Sequence, residues 1–239
     1  MFRRIAGLTV LMGMVALLGT QSSQAQKPTV KNIILVHGAW ADGSGWQGIY
    51  DILVKEGFKI SIVQEPETTF QDDVTAVQRV LALQDGRSIL VAHSYGGAVV
   101  TESGNDPSVA GLVYVAAHML EAGESEAGEG KLFPSALSKS TALKTTTDGF
   151  TYLDPSQFHA YFAADLPADK AAFMANSRVL NLAVSFKAVI TKAAWTTKPS
   201  WMVVAGADRT INPNLERFYA KRANDRAGSS HSIALNQSL

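Results

Sequence analysis

The strongest constraint on the fold of this chain is the order of its apolar runs. In Asn32-Ile-Ile-Leu-Val36 the last four residues are continuously apolar and rich in β-branched side chains, as expected of a strand buried on both faces. Lys59 to Val63, Ser88 to Ala92 and Val109 to Ala116 read as three further strands. Between them lie segments of helical spacing: Trp46 to Glu56, with Gly57 placed to end it, Phe70 to Leu83, and a short one from Gly97 to Ser103. Strands that alternate with helices predict a doubly wound, mainly parallel α/β sheet, whose functional loops follow the carboxyl ends of its strands.

The rhythm breaks between residues 118 and about 193 and resumes with a strand at Trp201 to Ala205 and a helix from Pro213 to Arg222. The interrupted stretch is alanine-rich and offers no comparably clean strand, so it reads as a helical cap inserted over the sheet. At 239 residues, 46% of them hydrophobic, the chain suits one domain of residues 26–239 carrying that cap. Arg3-Arg4, the apolar run Ile5 to Leu18 and the small residues Ser23 and Ala25 read as a cleaved signal peptide over residues 1–25. The protein is accordingly expected to be exported, periplasmic or secreted, with no stable membrane insertion after cleavage. A formal net charge of zero argues against a nucleic-acid partner. The chain has no cysteine, which excludes disulfides, thiolate metal sites and a cysteine nucleophile.

Three segments carry chemistry. Val91-Ala-His-Ser-Tyr-Gly-Gly97 closes a strand with a serine and opens a helix with glycines, the setting of a nucleophile elbow. Ala92 keeps small the position where the usual motif has its first glycine. Ser94 is the candidate nucleophile, and the N–H of Tyr95 at the helix start can face a developing oxyanion. His37-Gly38-Ala39-Trp40 ends the first strand, and Ala39 is the candidate for the second oxyanion donor. His37 itself reads as a structural hydrogen-bonding residue. Asp208, in Ala205-Gly-Ala-Asp-Arg-Thr-Ile-Asn-Pro213, follows a late strand as an orienting acid would, and His231 is the only histidine beyond it. The order Ser94, Asp208, His231 is that of a hydrolase triad on an α/β sheet.

With these residues the sequence resembles the α/β-hydrolase superfamily, and within it the small esterases akin to plant methylesterases and hydroxynitrile lyases. The resemblance rests on residues 37–46, 92–97 and 205–213 and covers about residues 31–117 and 199–231. It implies hydrolysis of a small carboxylic ester through an acyl-enzyme on Ser94, with His231 as base, Asp208 as acid, Ala39 and Tyr95 as oxyanion donors, and neither cofactor nor metal. A hydroxynitrile lyase would use the same triad with an added cap lysine, for which Lys131, Lys139 and Lys144 are available. The stretch between Arg222 and His231, where relatives have an apolar strand, holds no β-branched residue. Either the last strand is very short or the chain is a shortened or altered version of those relatives, and a non-catalytic binding protein built on the same fold stays open as the alternative.

Overall fold

The structure is a computed structural model that describes residues 30–227 and 232–235. The segment read above as a signal peptide, residues 1–25, and His231 lie outside the described residues. Six parallel strands form the central sheet in the order β2-β1-β3-β4-β8-β9. They are β1 (Asn32–Val36), β2 (Lys59–Ile62), β3 (Ser88–Ser94), β4 (Val109–Ala117), β8 (Ser200–Ala205) and β9 (Ser232–Leu235).

Both faces of the sheet are covered, which is why β1 is apolar from Ile33 to Val36. Ile34 and Val36 join the larger core, with Val74 and Val77 of α2 (Phe70–Leu81) and Ala98 to Val100 of α3 (Gly96–Ser103). Ile33 and Leu35 face the other way, onto Trp46 and Leu53, the latter in α1 (Gln47–Lys55). Gly57 ends α1 as expected, at φ +81°, a conformation that glycine adopts without steric cost. Thr69 caps α2 by accepting the N–H of Asp72. The late helix, α7, starts at Pro213 and runs to Ala227, longer than its sequence pattern implied.

Two expectations need correction. The cap is mixed rather than purely helical. Besides α4 (Glu126–Leu132), α5 (Pro155–Phe162) and α6 (Ala168–Ser177) it holds a three-stranded antiparallel sheet of β5 (Leu143–Thr145), β6 (Phe150–Leu153) and β7 (Asn181–Leu182). These strands run only two to four residues. Gly149, at φ +90°, turns the chain into β6, where only Thr151 and Leu153 are buried. The second correction concerns the end of the sheet. The last strand does not precede His231 but follows it, as Ser-Ile-Ala-Leu, with Ser232 opposite Met202 and Leu235 opposite Ala205.

Candidate active site

Every sequence-proposed site residue within the described part lies at the carboxyl edge of the parallel sheet, where chain ends from neighbouring strands converge. Ser94 ends β3 at φ +52°, in the left-handed region that a residue with a Cβ rarely occupies. The ladder between β3 and β4 shifts register at His93/Ser94, so the serine is lifted out of the pleat. Tight neighbours enforce the turn. A Cβ on Gly96 would stand 2.3 Å from the carbonyl oxygen of His37, and one on Gly38 would stand 2.6 Å from Cβ of Ser94. The loop after β1, which carries Ala39, therefore lies directly against the turn of Ser94 and Tyr95. Ala39 and Tyr95 are both buried.

Asp208 follows β8 through the turn Gly206-Ala207, and its N–H donates to the carbonyl of Ala205 at 3.3 Å. Its Oδ1 accepts the N–H groups of Thr210 (2.6 Å) and Ile211 (2.9 Å), which leaves Oδ2 as the oxygen a histidine N–H would use. Burial holds its carboxyl above the usual aspartate range, against those two hydrogen bonds. The cap steadies this loop, since Arg209 donates to the carbonyl of Ala160 and Thr210 to that of Tyr161.

Ser94 and Asp208 line one cavity of about 590 Å³, walled by Trp46, Tyr161, Phe162, Leu166 and Met174. A second cavity of about 440 Å³ lies between the cap and the start of α7 and includes Trp40, His118 and Phe186. Thr210 and Ile211 border both. Among the cap lysines, Lys131 lines the second cavity and Lys144 lies 4.0 Å from Asp154.

Four histidines are described, and each has its own partner. His37 accepts the N–H of Glu65 at Nε2 (3.0 Å), which makes it the structural residue expected. His93 lines the Ser94 cavity but packs edge-on against Phe162, and burial pushes its pKa down to about 4, so it stays neutral. His118 turns to Glu126 (3.2 Å) and to the hydroxyl of Tyr219 (3.5 Å). His159 bonds the carbonyl of Leu166. The fifth, His231, was the proposed base and lies outside the described residues.

The sequence reading missed a buried acidic cluster beneath this edge, made of Glu65, Glu67 and Asp73, with Glu216 under the Asp208 loop. All four are shielded from solvent. Glu216 accepts the N–H of Ala205 (2.8 Å) and so fixes the end of β8. The available signal was Asp73, which falls with Val74, Ala76 and Val77 on the buried side of α2. Burial is the chief cause in every case: it raises Glu67 to about 9, Glu216 to about 8 and Asp73 to about 6, and holds Glu65 well above the usual range.

These carboxyls keep their protons in the folded protein at pH values where the unfolded chain has released them. Their contribution to stability is complete below about pH 4 and declines as pH rises through 6 to 9. Exposed carboxylates with lowered values, such as Asp72 and Asp85, act in the opposite sense below pH 4 and are screened by solvent. The melting temperature is expected to be about 5–10 °C higher at pH 5.5 than at pH 8.5, as scanning calorimetry would measure.

The alpha/beta hydrolase family model matches residues 33–237. The chain belongs to this family. As a hydrolase-family sequence it is 30% identical to a pyrethroid hydrolase of Sphingobium wenxiniae over 105 residues, which are 37% of this chain and 36% of that protein. The chain thus spans about a third of that relative. Its fold is close to a crystal structure of a pyrethroid hydrolase (TM-score 0.70, 21% identity, covering 88% of this chain and 90% of the other). It is also close to polyneuridine aldehyde esterase (TM-score 0.70, 14% identity, covering 87% and 91%) and to a methylesterase from Arabidopsis (TM-score 0.67, 16% identity, covering 87% and 90%). At these identities the structural likeness concerns the fold, and it includes the methylesterase group that the sequence resembles.

Proposed function

We propose that the protein hydrolyses a small, largely apolar carboxylic ester through an acyl-enzyme on Ser94. The observation that carries this reading is the strained, buried Ser94, held against the Ala39 loop and opening into the cavity that also holds Asp208. The apolar walls of that cavity fit an apolar acyl or alcohol group. The names of the relatives, a pyrethroid hydrolase, a methylesterase and an aldehyde esterase, support ester chemistry in the same way.

In this mechanism a histidine takes the Ser94 proton as Oγ attacks the ester carbonyl. The tetrahedral oxyanion is met by the N–H groups of Ala39 and Tyr95. Collapse expels the alcohol, which receives the proton from the histidine, and a water deprotonated by the same ring then releases the acid and regenerates Ser94. Asp208 holds the imidazole in its working tautomer. Neither a cofactor nor a metal takes part. Export through residues 1–25 belongs to the same proposal and rests on the sequence pattern alone.

His231 is the candidate base by chain order and lies outside the described residues. A second reading, a binding protein on a hydrolase fold, is supported by the stretch between Arg222 and His231, which has no β-branched residue. A fluorophosphonate probe separates the two, because it labels quickly only a serine activated by a base. Labelling of Ser94 that is fast in the wild type and lost in His231→Ala assigns the base to His231. Fast labelling that survives His231→Ala removes that assignment and keeps the hydrolase. Absence of fast labelling in the wild type makes the protein a hydrolase in fold only.

A further inference from the structure

The buried carboxyl pair Glu67 and Asp73 joins three parts of the molecule that sequence keeps apart. Asp73 Oδ2 accepts the hydroxyl of Tyr95 (2.7 Å), and its Oδ1 accepts the N–H of Glu67 (2.7 Å). Glu67 Oε2 in turn accepts the N–H of Trp40 (3.4 Å). The Trp40 indole N–H donates to Thr151 of β6 (2.9 Å), and the Thr151 hydroxyl donates to the carbonyl of Asn181 of β7 (2.9 Å). The circuit closes where the N–H of Leu182 donates to the carbonyl of Glu67 (2.9 Å). Phe186 packs on both Trp40 and Tyr95. Trp40 (φ +61°) and Glu67 (φ +54°) are both in the left-handed region without being glycine, a strain that persists only where surrounding bonds hold it.

Tyr95 is one proposed oxyanion donor, and Trp40 directly follows the other, Ala39. We propose that Glu67 and Asp73 are positioning residues that lock both halves of the oxyanion hole into one unit and couple that unit to the seating of the cap sheet β6–β7. This rests on the ester-hydrolase reading above. Neither carboxyl touches substrate. Asp73 acts on the Tyr95 donor through that residue's phenol, and Glu67 acts on the Ala39 donor through the N–H of the next residue, Trp40. Misplacement of such a donor costs transition-state stabilisation more than substrate binding.

The groups facing Glu67 are Glu65 beside it, Asp73 from α2, His37 and Trp40 from the loop after β1, Asn181 from β7 and Glu126 from α4. Apart from His37 the ionisable ones are carboxyls, so ionisation of Glu67, which burial delays to about pH 9, adds a charge beside other acids and loosens the circuit. Turnover is therefore expected to fall above about pH 9 in the wild type.

The test is steady-state hydrolysis of p-nitrophenyl butyrate by the full chain, with Glu67→Ala, Asp73→Ala and Thr151→Val beside the conservative Glu67→Gln and Asp73→Asn. Glu67→Ala and Asp73→Ala are expected to lower kcat about tenfold to a hundredfold with KM within about threefold. Glu67→Gln should recover most of the loss and should not show the decline above pH 9. Thr151→Val should lower kcat in the same direction by a smaller factor. Wild-type kcat in Glu67→Ala, a change confined to KM, or no recovery by Glu67→Gln overturns the inference while leaving the hydrolase reading intact. If the wild type neither turns over nor labels at Ser94, the hydrolase reading fails instead. Hydrogen–deuterium exchange then decides the coupling, and it decides equally for alanine variants that fold poorly, through the conservative pair. Faster exchange appearing together in residues 38–42 and 150–153 supports the circuit, and exchange that changes in one segment alone contradicts it.

Discussion

Replacing Ser94 with alanine is expected to lower kcat/KM for p-nitrophenyl acetate by at least about 10³-fold while the protein folds normally. The size of the effect follows from what the hydroxyl does. Without Oγ no acyl-enzyme can form, and the remaining route is attack by water on an ester held beside the oxyanion donors. The second half of the expectation follows from packing. Ser94 ends β3 and its side chain opens toward a cavity, so removal of one oxygen leaves no gap in the core. The alanine inherits the strain of φ +52°, because that strain belongs to the turn and not to the hydroxyl. Steady-state rates and a thermal melt on the same sample would read both halves.

Gly96→Ala is expected to be the more damaging change to the fold, by about 3 kcal/mol or more, although it adds a single carbon. That carbon would sit 2.3 Å from the carbonyl oxygen of His37 and 3.1 Å from that of Val36. Both neighbours are backbone at the end of β1, a strand paired on both sides, and cannot swing aside as a side chain would. Relief requires α3 to move away from the sheet, which separates Ala98, Val99 and Val100 from the core they fill. Urea denaturation compared with the wild type measures this. A loss below about 1 kcal/mol would show that the elbow yields more readily than its contacts imply.

Much of this was legible in the sequence, for identifiable physical reasons. Strands buried on both faces leave continuous apolar runs, so β1, β3 and β4 were visible at once. The elbow was legible because close approach of strand and helix admits only small residues at positions 92, 96 and 97. Asp208 was legible from its place after a strand. The cap sheet was not, because its strands are two to four residues long and only partly buried, too short for a period to register. The end of the chain misled because a strand was sought in Ala223 to Ser230, whereas pairing with β8 is made by Ser232–Leu235.

The acidic cluster was illegible for a different reason. In sequence, Glu65, Glu67 and Asp73 look like charges on a solvated loop and helix. Only the fold reveals that they lie without solvent beneath the loop after β1, with Glu67 and Asp73 bonded to Trp40, Tyr95 and each other and the Glu65 N–H bonded to His37. Those bonds also show how the sheet edge can carry strain at Trp40, Glu67 and Ser94 together, at the ends of three adjacent strands. Each strained residue is held by a neighbour from another strand's loop, so the site's geometry is a property of the whole edge.

The most direct measurement is rapid-quench mass spectrometry of the wild type mixed with p-nitrophenyl acetate, with nitrophenolate release followed in parallel. The account predicts a burst of about one nitrophenolate per protein molecule and one acetyl group on the peptide that contains Ser94, both absent from Ser94→Ala. Steady turnover without a burst, without acetyl on Ser94 and undiminished in Ser94→Ala would contradict it.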